Sequence, residues 1–118
     1  MTLQDIIEKL DLALLTDRKE FETIEPTSGY ASDLLSCVMA GAKGQGLWIT
    51  LQAHVNIVAV AALLDLSAVI ITEGAKPDAP TLAKANNQGV TLLSTTEPSY
   101  VVAGKLWELG LRNADLPG

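Results

Sequence analysis

His54 is the only histidine in the chain and Cys37 the only cysteine. Groups able to do acid–base or nucleophilic work near neutral pH are therefore scarce. His54 stands in Gln52-Ala-His-Val-Asn56, between two amides and just after a stretch that reads as a strand. Ligands of open α/β sheets bind outside the carboxyl ends of the strands. There, Gln52, His54 and Asn56 would contact an anion or a base. The alternative reading is a surface histidine with a loop hydrogen bond. No cluster of ligating side chains surrounds His54 at metal spacing, so no metal is expected. Cys37 falls on a predicted helix beside apolar residues, with nothing nearby to activate it, and reads as a buried structural thiol. Paired carboxylates at a catalytic spacing are not visible either.

Hydroxyls and glycines supply the remaining candidates. Ser28, Thr72 and Thr95 fall at expected strand exits or entry loops, where they line a pocket or cap turns. Gly41-Ala-Lys-Gly-Gln-Gly46 resembles a phosphate loop only in composition. Phosphate loops follow a strand and open a helix, so that helix N–H groups face the anion. This one ends a helix and precedes a strand, and GxxxxGK[ST] does not occur. It reads as a plain helix-to-strand turn.

The elements that would position these groups centre on residues 47–72, LWITLQAHVNIVAVAALLDLSAVIIT. Leu47 to Leu51 suits a buried strand, and Ala68 to Ile71 a second one. Between them Val55 to Leu64 is apolar all round, which predicts a helix buried on most sides. Strand, helix and strand make a βαβ unit. Upstream, Thr2-Leu3-Gln4-Asp5 has the form of a capping box, and Leu3, Ile6, Ile7 and Leu10 follow on one helical face. Leu12 to Leu15 and Phe21 to Ile24 read as two short strands that pair as a hairpin. Glu25 to Tyr30 reads as a loop. Ser32 or Asp33 is expected to cap a helix whose buried stripe is Leu34, Leu35, Val38 and Met39. Downstream, Asp78 caps a helix with Pro80 in its first turn, and Gly89 ends it. Val90 to Leu93 is a further strand. Pro98 starts a last helix, with Val102, Leu106 and Leu109 on one face, and Gly110 stops it. Trp48 and Trp107 are expected in the core or at an interface. This alternation predicts an α/β fold: a single domain with a mostly parallel sheet and helices on its faces. The domain is expected over residues 1–110, with a loosely held tail over 111–118.

Composition narrows the function classes. The chain has 118 residues, 48% of them hydrophobic and 19% charged, which suits one globular domain. Its formal net charge is -6, and its eight Lys and Arg do not cluster along the sequence. A nucleic-acid surface is therefore not expected. One cysteine excludes an internal disulfide. The amino-terminal run MTLQDIIEKL has acids where a signal peptide has bases. The apolar stretch around Ile57 is interrupted by Asp65, so no membrane span is expected and the cytoplasm is the expected compartment.

Several runs resemble the DRTGG domain family: Gly29-Tyr-Ala-Ser-Asp-Leu-Leu-Ser36, Leu47 to Ala61, and Leu66-Ser-Ala-Val-Ile-Ile71, with Thr81 to Ala85 and the Val90 strand in support. The motif that names the family is not literal here. Its counterpart is Glu25-Pro-Thr-Ser-Gly29, which keeps Thr27 and Gly29 and lacks the Arg. The resemblance implies an α/β domain similar to the N-terminal domain of bacterial HPr kinase/phosphorylase. It also implies a regulatory or architectural role without catalysis or cofactor.

Three functions follow as expectations. The first is a ligand-sensing regulatory domain that acts through protein partners and takes a small nucleotide or phosphorylated metabolite. The second is a structural homodimer without ligand, and a homodimer is the expected assembly in either case. The third, a small enzyme, has the least support because no catalytic constellation is present. Any ligand site is expected at the carboxyl end of the sheet. Gln52, His54 and Asn56 would meet Thr72, Gly74, Ser94 and Thr95 there, with the loop of Thr27, Ser28 and Gly29 closing over them.

Overall fold

The computed structural model describes residues 1–113, which form one five-stranded sheet with helices on both faces. In chain order the elements are α1 (Leu3–Lys9), β1 (Ala13–Leu14), a 3₁₀ turn (Phe21–Thr23), β2 (Gly29–Ala31), α2 (Leu35–Gly41), β3 (Leu47–Thr50), α3 (Asn56–Leu63), β4 (Ala68–Ile71), α4 (Ala79–Gln88), β5 (Leu92–Ser94) and α5 (Ser99–Glu108). The sheet order is β1-β5-β4-β3-β2. Strands β2 to β5 are parallel, and β1 runs antiparallel along the outer side of β5. The α/β fold expected from the alternation of elements is the fold observed.

Side-chain alternation sorts the core into two layers. Every residue of β3 and β4 is buried. Leu47, Ile49, Ala68, Ile70 and Leu93 face one side, where Leu3 and Ile6 of α1, Phe21, and Val102 and Leu106 of α5 cover them. Trp48, Val69, Ile71 and Leu92 face the other side, beneath Val38 of α2, Ile57, Val58 and Ala61 of α3, and Ala85 of α4. Strands buried on both faces are near-continuous apolar runs, as parallel strands between helical layers are; the buried Thr50 at the end of β3 donates its hydroxyl to Asp33.

Local chemistry starts and stops the helices as expected in several places. Thr2 and Asp5 form the capping box of α1, with the Thr2 hydroxyl accepting from the Asp5 N–H and the Asp5 carboxylate accepting from the Thr2 N–H. Hydrogen bonding to Thr2, from its backbone N–H foremost and then from its side chain, holds the Asp5 carboxyl below its ordinary range. Asp78 caps α4, and Gly89 ends it in the left-handed region at φ 71°.

Other expectations are corrected. Phe21 to Ile24 is a 3₁₀ turn and not a strand, so it makes no hairpin with β1; the partner of β1 is β5. Phe21 and Ile24 stand three apart, which puts them on one side of a 3₁₀ turn and would send them to opposite faces of a strand. Here Phe21 is sealed in the core, and the Ile24 carbonyl accepts from the Leu3 N–H. Gly29 to Ala31, expected as loop and linker, is β2. Helix α2 starts later than expected and buries only Val38 fully. Leu34, Met39 and Cys37 are exposed, so the cysteine is not a buried thiol. Ser32 accepts from the Leu34 N–H, whereas the Asp33 carboxylate leaves the helix and accepts from Thr50 Oγ1 and the Leu51 N–H. Helix α3 buries one face only: Ala59 and Leu63, four residues apart, face outward, and Leu63 is 70% exposed. Trp48 is buried, while Trp107 is an exposed residue of α5. Leu111 is buried in the layer under α5, and Asn113 Oδ1 accepts from the Gly29 N–H. The rest of the expected tail, residues 114–118, lies outside the described residues.

The turn into β3 is the tightest backbone approach. A Cβ on Gly46 would stand 2.7 Å from Ser28 Oγ and 2.9 Å from the Lys43 carbonyl oxygen. Gly46→Ala is therefore expected to lower stability by about 1–3 kcal/mol, the usual cost of overpacking. A urea melt checks this; an unchanged midpoint would show that the turn relaxes freely.

Candidate functional site

The connections from β2 through β5 step across the sheet in one direction, so α2, α3 and α4 share one face. The chain changes face only after β5, where α5 packs on the other side. The β4–α4 and β5–α5 loops therefore leave adjacent strands toward opposite faces. A crevice between them follows, by the rule that places ligand sites in open α/β sheets at such switch points. The structure has a cleft of about 460 Å³ there. Gly74, Ala75 and Lys76 line it from the β4–α4 loop, and Ser94, Thr95, Thr96 and Glu97 from the end of β5. Lys9, Leu10, Asp11 and Ala13 close it from α1 and β1, and Lys105 reaches it from α5.

The two loops are laced together beneath the cleft. The Glu73 N–H donates to the Glu97 carbonyl, and the Gly74 N–H donates to the Thr95 carbonyl. Thr72 is fully buried, its Oγ1 2.5 Å from Ser99 Oγ. Glu73 and Gly74 are both left-handed, at φ 62° and 73°. Glycine takes that conformation freely, but for Glu73 it costs on the order of 1–2 kcal/mol. What offsets this is the Glu73 carboxylate, which accepts from the Ser99 N–H at 2.8 Å and so caps α5 from a neighbouring loop.

The helix amino termini at this edge are engaged by the chain itself. Asp78 accepts from the Thr81 N–H at 2.9 Å and from Thr81 Oγ1 at 2.6 Å. The hydroxyl bond and then the amide bond hold the Asp78 carboxyl below its ordinary range. Glu73 serves α5, and at α3 the Asn56 N–H donates to His54 Nδ1 at 3.2 Å. A neutral His54 with Nδ1 accepting carries its proton on Nε2. Helix dipoles thus have their anions or acceptors already, and the positive charge in the cleft comes from Lys9, Lys76 and Lys105. Lys105 Nζ lies 2.9 and 2.8 Å from the two oxygens of Glu97. Among the described residues Lys9 and Lys76 make no salt bridge.

The expected site residues fall into three places. Gly74, Ser94 and Thr95 line the cleft, with Thr72 beneath it. Gln52, His54 and Asn56 lie at the same sheet edge but outside the cleft, around the start of α3. Gln52 is a tie there, its N–H donating to Thr50 Oγ1 and its side-chain amide to the Asp33 carbonyl. Thr27, Ser28 and Gly29 lie at the opposite edge. Strand β2 is parallel to β3 with Gly29 opposite Leu47, the first residue of β3, so about 10 Å of sheet separates them from Thr50. Thr27 there hydrogen-bonds to the Gln45 and Gly44 carbonyls. That loop does not close over the carboxyl edge. Lys9, Lys76, Lys105 and Asp11 were not among the expected residues. Only the face change at β5 could have found them, because no spacing along the chain joins the lysines. Among the described residues no three His, Cys, Asp or Glu side chains gather as a metal-holding group, and no helix is long and apolar enough to cross a membrane.

No protein-family model matches the chain, and no curated protein matches it. Among solved structures it is similar to the crystal structure of the CBS and DRTGG domains of the regulatory region of Clostridium perfringens pyrophosphatase, complexed with the activator diadenosine tetraphosphate. The TM-score is 0.72 at 15% identity, over 99% of this chain and 53% of that one. The chain spans about half the length of that neighbour, and at this identity the likeness is one of fold.

Removing the cap that joins the two loops is expected to loosen the cleft floor. Glu73→Ala should cost about 0.5–2 kcal/mol, as loss of a helix cap does, and should speed hydrogen exchange at the Ser99 amide. Unchanged exchange there would mean that Glu73 does not hold α5.

Proposed function

We propose that this chain is a non-catalytic regulatory domain of the DRTGG type, similar to the N-terminal domain of HPr kinase/phosphorylase. In this reading it senses a small nucleotide or phosphorylated metabolite and acts through protein partners in the cytoplasm. The observation that carries the reading is the cleft at the face change, where hydroxyls, a glycine backbone and three lysines converge in an acidic chain. The regulatory neighbour with its nucleotide activator supports the same class of ligand. Gly74, Ser94 and Thr95 would contact the ligand directly, with Thr72 supporting them. His54, Gln52 and Asn56 would lie to one side of it, and Thr27, Ser28 and Gly29 would contribute only through the sheet.

A second reading, the structural homodimer without ligand, is favoured by one observation. Apolar side chains stand out on two helices: Leu63 on α3, and Tyr100 and Trp107 on α5, with Tyr100 89% exposed. Such surface in a small domain suits a self-association interface. The two readings are compatible, since a sensing domain can also be a dimer.

Thermal melts with ATP, ADP, AMP, acetyl phosphate and diadenosine tetraphosphate separate them. A ligand present at a hundred times its Kd adds about 2.7 kcal/mol, a shift of several degrees. The sensing reading expects such a shift with at least one phosphorylated compound and no turnover of any. A flat melting temperature across the panel would favour the structural reading, and turnover that follows the protein through purification would contradict both.

A further inference from the structure

Among the described residues, the walls of the cleft contain no aromatic side chain. Bases are commonly held by stacking on aromatic or guanidinium planes. Both arginines lie elsewhere: Arg18 against Phe21, and Arg112 over Trp107. What the cleft does offer is ammonium groups, hydroxyls and open backbone. Gly74 has nothing within 4 Å of the place a side chain would take, so its backbone is open to close approach. These groups suit phosphate oxygens and offer little to a purine.

One anion already occupies part of this lining. The Glu97 carboxylate receives both of its close contacts from Lys105, 2.9 and 2.8 Å away. Both side chains are about two-fifths exposed, at 39% and 43%. An exposed pair of this kind contributes little to stability and exchanges readily. The backbone of Glu97 is held independently: its N–H donates to Thr95 Oγ1, and its carbonyl accepts from the Glu73 N–H. The side chain can therefore leave Lys105 without unmaking the loop. Lys9 and Lys76 complete the positive lining, and Asp11 is the other acid on it.

From these observations we infer that the cleft recognises the phosphate chain of its ligand and not a base, and that Glu97 is a built-in competitor that the phosphate displaces from Lys105. The inference deepens the sensing reading above and rests on it. A diphosphate or longer chain is the class that fits, because three lysines from separate elements line a cleft of about 460 Å³, more than a single phosphate fills. Glu97 then sets a threshold. It lowers affinity for every anion by the same mechanism, and a singly charged anion gains too little from Lys105 to replace it. Binding releases the Glu97 carboxylate from Lys105 in the last turn of α5, while the backbone of the loop stays in place. No covalent step is involved.

Isothermal titration of the full chain with inorganic diphosphate, and separately with adenosine, tests this at low ionic strength. Diphosphate is expected to bind and adenosine not to. Glu97→Gln should tighten diphosphate about threefold to tenfold, the scale of removing one nearby like charge at a solvated site. That gain should vanish in Glu97→Gln/Lys105→Gln. Lys9→Gln and Lys76→Gln should each weaken binding by a similar factor, with circular dichroism confirming that every variant is folded. Unchanged affinity in Glu97→Gln, with both lysine variants weakened, would overturn the competitor and leave the sensing site intact. Adenosine binding as tightly as diphosphate would overturn recognition through the phosphates. Diphosphate binding that no lysine variant alters would place the site elsewhere. No binding of diphosphate or of any phosphorylated compound would overturn this inference together with the sensing reading.

Discussion

Two adjacent strands, β3 and β4, are buried on both faces, and the rest of the molecule is arranged to satisfy them. Every position in them is buried and all but Thr50 are apolar, so neither face of the sheet can be left to water. Three helices cover one side and two cover the other. Successive parallel connections in one direction place their helices on a single face, which accounts for α2, α3 and α4. The opposite face can be covered only by segments at the two ends of the sheet run. Helices α1 and α5 are those segments, and the antiparallel β1 arrives with α1 to shield the outer side of β5. The change of face at β5 is thus a consequence of covering the core.

The cleft inherits its position and its charge from that change of face. Loops that leave β4 and β5 toward opposite sides cannot pack on each other above the sheet edge, although backbone hydrogen bonds lace them below it. The same edge gathers the amino termini of α3, α4 and α5, which would ordinarily attract anions. Here the chain has supplied its own partners: His54 at α3, Asp78 at α4 and Glu73 at α5. Positive charge is left to lysines from α1, the β4–α4 loop and α5, brought together by the two end helices lying on one face. An acidic chain thereby carries a cleft lined by three lysines, while its net charge gives an anion no steering from a distance.

The same physics explains what could be read from the sequence and what could not. The fully apolar runs at Leu47 and Ala68, the Ala-rich crossover between them, the Thr2–Asp5 box and the Asp78 and Gly89 caps are local signals, and each formed the expected element. Strand β2 is three residues long and begins with glycine, so its identity comes from pairing with β3 and not from its own propensity. Missing it placed Thr27, Ser28 and Gly29 near the carboxyl edge, when parallel pairing puts them at the amino edge. Phe21 and Ile24 stand three apart, the period of a 3₁₀ turn and not of a strand, so the strand expected there did not follow from their spacing. Within the candidate site, Gly74, Ser94 and Thr95 were legible because strand exits are legible. The lysines were not, because a helix face has no meaning in sequence until the side of the sheet it covers is known.

The central claim is that the anion site lies where the connections part to opposite faces, and not at the histidine that is chemically most conspicuous. Amide NMR during titration with inorganic diphosphate tests it directly. The account predicts shifts centred on Gly74 to Lys76, Ser94 to Glu97 and Lys9, while Gln52 to Asn56 and Thr27 to Gly29 stay still. Shifts confined to His54 and its neighbours, or to the loop at the amino edge, would contradict it.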